Sequence, residues 1–154
     1  MKGDKKVIDH LNAVLANELT AINQYFLHSK MFKNWGLEKL AEHEYKESID
    51  EMKHADSLME RILFLEGQPA VKLKKLLVGD STQSVLDCDL KLELAGHSDL
   101  KQAIADCEKI GDFVSRELFE SILESEEGHI DWLETQLALI EKVGLQNYQQ
   151  TNMS

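Results

Sequence analysis

Two short motifs in this sequence place a carboxylate and an imidazole on the same side of a helix. Residues 51–54 (EMKH) and 126–129 (EEGH) both have the pattern Glu-x-x-His, and residues three apart are neighbours on a helical surface. Glu18 precedes the first motif by 33 residues, and Glu93 precedes the second by 33 residues. The chain therefore carries the same donor set twice, as if two helical hairpins face each other.

This donor set is suited to a pair of divalent cations. Four carboxylates supply four negative charges, which match two M²⁺ ions, and each ion gains one neutral imidazole. Oxygen and nitrogen ligands without thiolate favour iron or manganese, with zinc as a tight-binding mimic. The set resembles that of the ferritin-like di-iron carboxylate bundles. The predicted ligands are Glu18, Glu51, His54, Glu93, Glu126 and His129.

Long helices are needed to position these residues. The chain has only 8 Gly and 1 Pro, and the uninterrupted segments far exceed the average helix of about 11–12 residues. Asp112 is predicted as the N-cap of the fourth helix, and Asp80 with Gln83 as a capping pair for the third. We predict helices over Asp4–Asn34, Leu37–Glu66, Ser81–Ile110 and Asp112–Val143, with a short fifth helix over Leu145–Asn152.

Each of the four long helices has an inward stripe that is apolar at both ends and acidic near its middle. Following the second helix in steps of three and four adds Glu44 and Glu47 to the same stripe as Glu51. Burying an isolated carboxylate costs several kcal/mol unless it is paired, protonated or bound to metal. Four helices sharing this pattern at mid-height predict a buried metal centre.

The joint between the second and third helices is unusually long. From Gly67 to Asp80 the chain lacks strong helical signals, and such a segment spans roughly 45 Å when extended. A helix of about 30 residues is equally long, so the link can return along the bundle and make the second and third helices parallel. We therefore predict an all-α, ferritin-like four-helix bundle with one long crossover, formed by a single domain over residues 1–154.

Composition excludes several other classes. The chain has 154 residues and a formal net charge of −11, whereas a nucleic-acid binder would present a basic face. No stretch approaches the roughly 18–20 apolar residues of a membrane span, and the first residues do not resemble a signal peptide. Cys88 and Cys107 would lie about 28 Å apart on one helix, too far for a disulfide. We expect a cytoplasmic protein without nucleic-acid or membrane partners.

Beyond the predicted ligands, the chain resembles the bacterioferritin family over essentially its full length. The resemblance rests on residues 17–19, 21–26, 48–55, 61–67 and 126–134. It implies a hollow iron-storage shell of twenty-four subunits, with ferric mineral inside. It also implies a ferroxidase di-iron site in each subunit, which oxidises Fe²⁺ with O₂ or H₂O₂. In that family pattern the residues at Glu51 and Glu126 bridge the two irons. Glu18 with His54 completes one iron site, and Glu93 with His129 the other.

Met52 points away from the predicted metal centre, because it lies about 100° around the helix from Glu51. Outside this family context it would be an ordinary apolar interface residue. The resemblance implies instead that Met52 and its symmetry mate bind one haem b shared between two subunits. It also implies that haem carries electrons for iron release and that a small electron-donor ferredoxin is a partner. Residues that line this predicted haem pocket are Leu19, Ile22, Asn23, Phe26, Tyr45 and Ile49.

Two further residues near the ligands have open interpretations. Tyr25 lies two turns after Glu18 on the same face, so its ring either packs in the core or offers its hydroxyl to a ligand carboxylate or as an electron donor. Asp50 and Glu47 either help iron to move toward the cavity, with Asp50 as an inner-surface iron ligand, or are ordinary solvated or pore-side carboxylates. Some members of the family have a histidine four residues before this aspartate, where the present chain has Lys46.

The remaining histidines and tryptophans carry no paired spacing. His97 follows Glu93 by one turn and is expected to be an ordinary polar residue rather than a transient ligand. No chemical role is predicted for His10, His28, His43, Trp35 or Trp132.

Two other function classes remain compatible with the residues. A di-iron oxidase or peroxide reductase acting on a non-iron substrate would need a substrate cavity beside the metals, whereas the stripes predict Leu and Ile there. A non-catalytic helical assembly protein would retain the buried acids without using them.

Overall fold

A computed structural model describes residues 1–154 and contains only helices. Helices α1 and α2 form one antiparallel hairpin and α3 and α4 another, and the hairpins meet through α1 with α3 and α2 with α4. The predicted four-helix bundle with a short fifth helix is confirmed, and no helix has the length and apolar character required to cross a membrane. The helices are α1 (Lys5–Asn34), α2 (Glu38–Phe64), α3 (Thr82–Ile110), α4 (Phe113–Val143) and α5 (Leu145–Gln150).

The helix ends follow local side-chain chemistry. Asp112 caps α4 as predicted, and its carboxylate accepts the Ser115 N–H at 3.0 Å. The predicted capping pair of Asp80 and Gln83 is wrong, because Ser81 is the N-cap of α3 and pairs reciprocally with Ser84. The Asp80 carboxylate instead accepts a hydrogen bond from the Ser84 hydroxyl at 3.0 Å, and the capping position is occupied by Ser81.

The long crossover is attached to one face of α1. Four polar side chains of α1, spaced by eight, four and four residues, accept hydrogen bonds from successive crossover N–H groups. The pairs are Asn12 with Ala70 (2.8 Å), Thr20 with Lys74 (2.9 Å), Gln24 with Leu77 (3.0 Å) and His28 with Gly79 (3.1 Å). The crossover therefore runs parallel to α1. Helix α3 begins at the same end of the bundle as α2, and the two helices are parallel.

The apolar core is divided into two clusters by a polar layer. One cluster contains Leu11, Leu58 and Phe119, and the other contains Phe32 and Leu86. The inward stripes are thus apolar at both ends, as predicted, and each long helix contributes buried acids to the layer between the clusters. This layer includes the buried side chains of Glu18, Gln24, His28, Glu44, Glu51, Asp89, Glu93, Glu126 and His129.

Candidate metal centre

Each long helix brings one of the predicted glutamate ligands to the polar layer. The relative exposures are 3% for Glu18, 0% for Glu51, 1% for Glu93 and 4% for Glu126. Each lies on a stripe that is apolar at both ends of its helix, so the packing of the helix also draws the carboxylate inward. Four anionic side chains thus converge in a region with almost no access to water, which is unfavourable without compensating positive charge.

The donor atoms form two overlapping groups, within each of which they lie less than 4.8 Å apart. One group contains Glu18, Glu51, His54 and Glu126, and the other contains Glu51, Glu93, Glu126 and His129. Glu51 and Glu126 belong to both groups. The structure therefore brings together all six residues predicted from the sequence, in an arrangement where two carboxylates can bridge two adjacent cations.

Several of these donor atoms have no hydrogen-bond partner although they are buried. They include Glu18 Oε2, both carboxylate oxygens of Glu51, Glu93 Oε2 and His54 Nδ1. His54 Nδ1 lies 3.5 Å from a carboxylate oxygen of Glu18 and 3.5 Å from one of Glu51. Leaving a buried polar atom without a partner costs about 1–3 kcal/mol. Cations among these atoms would satisfy them, so the residues fit a pair of metal ions.

The pKa shifts of the clustered side chains show that negative charge is unfavourable here unless positive charge lies beside it. Burial, reinforced by the charge of Glu51, raises the pKa of Glu126 well above its usual value. Burial raises the pKa of Glu93 as well, although His129 opposes it. Burial alone would raise the pKa of Glu51, but the neighbouring imidazoles of His129 and His54 outweigh it and lower the pKa. Burial disfavours the charged form of His129, but bonds to surrounding carboxylates, Glu47 first, outweigh this and raise its pKa far above the ordinary value.

A further acidic pair extends from the centre to the surface. Donor atoms of Glu47, Asp50 and His129 lie within 4.8 Å of one another, and Asp50 is exposed. Glu47 pairs with His129 Nε2. Lys46 lies 3.3 Å from Glu42, so its charge is partly satisfied by a residue other than Asp50.

Tyr25 is 2% exposed and packs in the interior. Its hydroxyl has no hydrogen-bond partner, so the interpretation in which it bonds a ligand carboxylate is not realised in this structure. The ring lines a small cavity on the side of the metal centre that faces the Phe32 cluster.

Met52 lies outside the metal centre, on the outer surface of α1 and α2. It is 51% exposed and shares this surface with the exposed rings of Phe26 and Tyr45, whose centroids are 6.1 Å apart. The direction of Met52 away from the acidic centre agrees with its predicted position on the helix.

The structure also contains a buried group that the sequence did not predict. His28 and Asp89 are fully buried and hydrogen-bonded at 2.8 Å. No motif joins them, since they are 61 residues apart, although Asp89 lies one turn before Glu93 and could have been read as inward-facing. His43 stacks on Trp132 with a centroid distance of 3.5 Å.

The remaining two histidines form outer pairs. His10 contacts Asp106 at 2.7 Å, and His97 contacts Glu127 at 2.8 Å. Both arrangements are ordinary polar pairs, which is the interpretation expected for His97.

Comparison with known proteins agrees with the class that the fold and donor cluster define, a ferritin-like protein. The ferritin-like domain family matches residues 8–143. A bacterioferritin of Brucella melitensis biotype 1 is 47% identical over 153 residues, which cover 99% of this chain and 95% of that protein. A bacterioferritin of Rhodobacter capsulatus is 47% identical over 149 residues (96% and 92%). A bacterial ferritin of Pseudomonas aeruginosa is 44% identical over 154 residues (99% and 100%). The chain belongs to the bacterioferritin family.

Proposed function

We propose that this protein stores iron and is a ferroxidase, which oxidises Fe²⁺ to Fe³⁺ with O₂ or H₂O₂. The observation that carries this proposal is the pair of donor groups that share Glu51 and Glu126. Relatives named bacterioferritin and bacterial ferritin over nearly the full length support the storage role. The proposed ligands are Glu18, Glu51, His54, Glu93, Glu126 and His129.

The six residues supply charge, geometry and exclusion of water. Glu51 and Glu126 would be shared by the two ions, Glu18 and His54 would complete one site, and Glu93 and His129 would complete the other. Two Fe²⁺ ions provide two electrons, which with two protons convert O₂ to H₂O₂ or H₂O₂ to water. The protein contributes a preformed anionic cage, and the metal ions contribute the redox chemistry.

Oxidised iron then leaves the centre toward the interior of a shell of twenty-four subunits, where it forms a ferric mineral. The cluster of Glu47, Asp50 and His129 supports this route, because it connects the buried centre with an exposed carboxylate. In this proposal Asp50 is an accessory iron ligand.

Substitution of a ligand that serves only one of the two ions tests the ferroxidase. Iron is added aerobically and Fe³⁺ formation is followed by near-ultraviolet absorbance. Glu18→Ala should slow the initial rate roughly tenfold or more, because one site loses an anionic ligand. Glu60→Ala, at an exposed position of α2, is the control and should match the wild type. If wild type and Glu18→Ala oxidise iron at the same slow rate, the ferroxidase proposal is wrong.

The size of the cavity at the metal centre argues against an organic substrate. The cavity bounded by Glu18, Glu51, Glu93 and Glu126 has a volume of about 10 Å³, which is enough for a water-sized molecule only. A space of this size leaves no room for the substrate of a di-iron oxidase acting on an organic compound. The amount of added iron that stays bound to the assembled protein separates the two remaining functions: a storage protein retains the iron, whereas a simple peroxide reductase does not.

The exposed surface around Met52 supports a second part of the proposal, a haem b shared between two copies of the chain. The Met52 side chain is exposed on the same surface as Phe26 and Tyr45, and its thioether would be a suitable donor to a haem iron beside these aromatic rings. When bound, haem would supply one-electron chemistry for the reduction and release of stored iron. The electron donor proposed for this step is a small ferredoxin.

A further inference from the structure

A second polar cluster lies beside the proposed metal centre, on the side that faces the Phe32 cluster. Tyr25 lies seven residues after Glu18, Glu44 lies seven residues before Glu51, and Asp89 lies four residues before Glu93. The three side chains thus continue the stripes of the metal ligands by one or two helical turns. Their exposures are 2%, 1% and 0% in that order.

These side chains line a small cavity with a volume of about 10 Å³. Such a space holds one water-sized body, which requires several polar partners. Several polar atoms around it are without hydrogen bonds: both carboxylate oxygens of Glu44, Asp89 Oδ2, the Tyr25 hydroxyl and His43 Nδ1. Glu47 and His129, which pair with each other, border the cavity on the side of the metal centre. An accumulation of unsatisfied buried acceptors around one small cavity indicates a missing ligand with positive charge.

Asp89 is oriented by its other neighbours. The Gly79 N–H donates to His28 Nε2 at 3.1 Å, so the proton of the neutral imidazole is on Nδ1. His28 Nδ1–H and the Gln24 amide both donate to Asp89 Oδ1, at 2.8 and 3.0 Å. Both donors are directed at Oδ1, which leaves Asp89 Oδ2 without a hydrogen-bond partner. Both ring nitrogens of His28 are occupied, so His28 orients Asp89 and is not itself a free ligand.

We propose that Glu44, Asp89 and the Tyr25 hydroxyl bind a third divalent cation, of the Fe²⁺ or Mn²⁺ class, with His43 Nδ1 as an additional donor. Two carboxylates match the charge of one such ion, and carboxylate and hydroxyl oxygens are suitable ligands for it. This site goes beyond the proposed function, because it uses none of the six ferroxidase ligands.

The ionisation of Glu44 agrees with an ion at this position. Burial, and after it the neighbouring charge of Asp89, raises the pKa of Glu44 well above its usual value. A proton on Glu44 is therefore the alternative to the cation, and the two compete for the same carboxylate pair.

Manganese is a suitable probe, because Mn²⁺ is stable in air. Crystals of the assembled protein soaked in MnCl₂ should show a third anomalous peak between Glu44 and Asp89, in addition to two peaks at Glu51 and Glu126. Glu44→Gln should remove the third peak and leave the other two, and equilibrium dialysis should find one Mn²⁺ fewer per chain. Glu42→Gln, an exposed position two residues away on α2, is the matched control and should retain all three.

The soak of the wild-type protein decides the proposal even if Glu44→Gln fails to fold. Density without anomalous signal between Glu44 and Asp89 would mean a water molecule and would overturn the third site. A third peak that persists in Glu44→Gln would also overturn it. Absence of the two peaks at Glu51 and Glu126, with the third retained, would instead contradict the proposed ferroxidase centre.

Discussion

Glu51 and Glu126 differ from the other candidate ligands because each belongs to both donor groups. Their burial shows how one polar layer can be tolerated within an apolar bundle. The acids are not dispersed through the core but concentrated between the two apolar clusters, where two histidines partly compensate their charge. This concentration is unfavourable without compensating positive charge, which is why the layer is a candidate site for cations.

Met52 shows that a residue next to a ligand in the sequence can serve a different surface. Met52→Leu retains apolar bulk but removes the sulfur, so we expect it to abolish the spectrum of methionine-ligated haem while iron oxidation in the absence of haem is unchanged. The absorption spectrum of the purified, haem-reconstituted protein checks this. Met153→Leu, another half-exposed methionine, should bind haem as the wild type does. An unaltered methionine-ligated spectrum in Met52→Leu would disprove the haem assignment.

At the scale of secondary-structure elements, side chains at the helix ends determine how the two hairpins meet. Asp112 caps α4 and also accepts a 2.9 Å hydrogen bond from Arg61 of α2. Ser115 completes the network, since it receives the Arg61 Nε–H and donates its hydroxyl to Asp112. One carboxylate thus stabilises the start of α4 and fixes it to α2.

Asp112→Ala should lower the stability of the protein by about 1–2 kcal/mol, the usual effect of losing an N-cap. Thermal unfolding of the metal-free assembly at a fixed scan rate measures the change. Asp131→Ala, at an exposed position within α4, should have little effect. Equal melting temperatures for Asp112→Ala and the wild type would show that this network does not stabilise the bundle.

The effect of Asp112→Ala should also depend on pH. Partial burial would raise the pKa of Asp112, but the hydrogen bonds of Ser115 and the Arg61 guanidinium outweigh it and hold the pKa below its usual value. A carboxylate whose pKa is lower in the folded than in the unfolded protein stabilises the fold at pH values above its unfolded pKa of about 3.9. This contribution is lost as the pH falls through the folded pKa. The difference between wild type and variant should therefore shrink below about pH 4.

At the scale of the whole molecule, one chain leaves large apolar side chains uncovered. Phe64, Phe113 and Val114 are 52%, 54% and 61% exposed at one end of the bundle, and Val71 of the crossover is 73% exposed. The chain has a net charge of −11, but charged residues elsewhere do not shield these side chains from water. Contact with further copies of the chain would bury them, so this exposed apolar surface favours association.

We expect the native protein to sediment as a particle of twenty-four copies, far larger than the 17.6 kDa of one chain. Analytical ultracentrifugation of the untagged protein gives the mass directly, and a denatured sample provides the single-chain reference. Moderate salt should leave the particle intact, since burial of apolar surface is insensitive to ionic screening. A native species with the mass of one chain would contradict the proposed shell.

The sequence by itself determined the helices and the six candidate ligands. Both follow from the period of the α-helix, which is a property of the local backbone: Glu51 and His54 share a face wherever the helix lies. The 33-residue spacing, repeated once, then predicted that four such faces meet. Even the crossover followed from its length.

Only the tertiary structure decided which other buried polar groups meet. The cavity beside Tyr25 combines Glu44 of α2 with Asp89 of α3, and Asp89 is oriented by Gln24 and His28 of α1. These contacts depend on the relative height of separate helices, and no local period encodes that height. It results from the packing of the two apolar clusters and from the row of α1 side chains that holds the crossover.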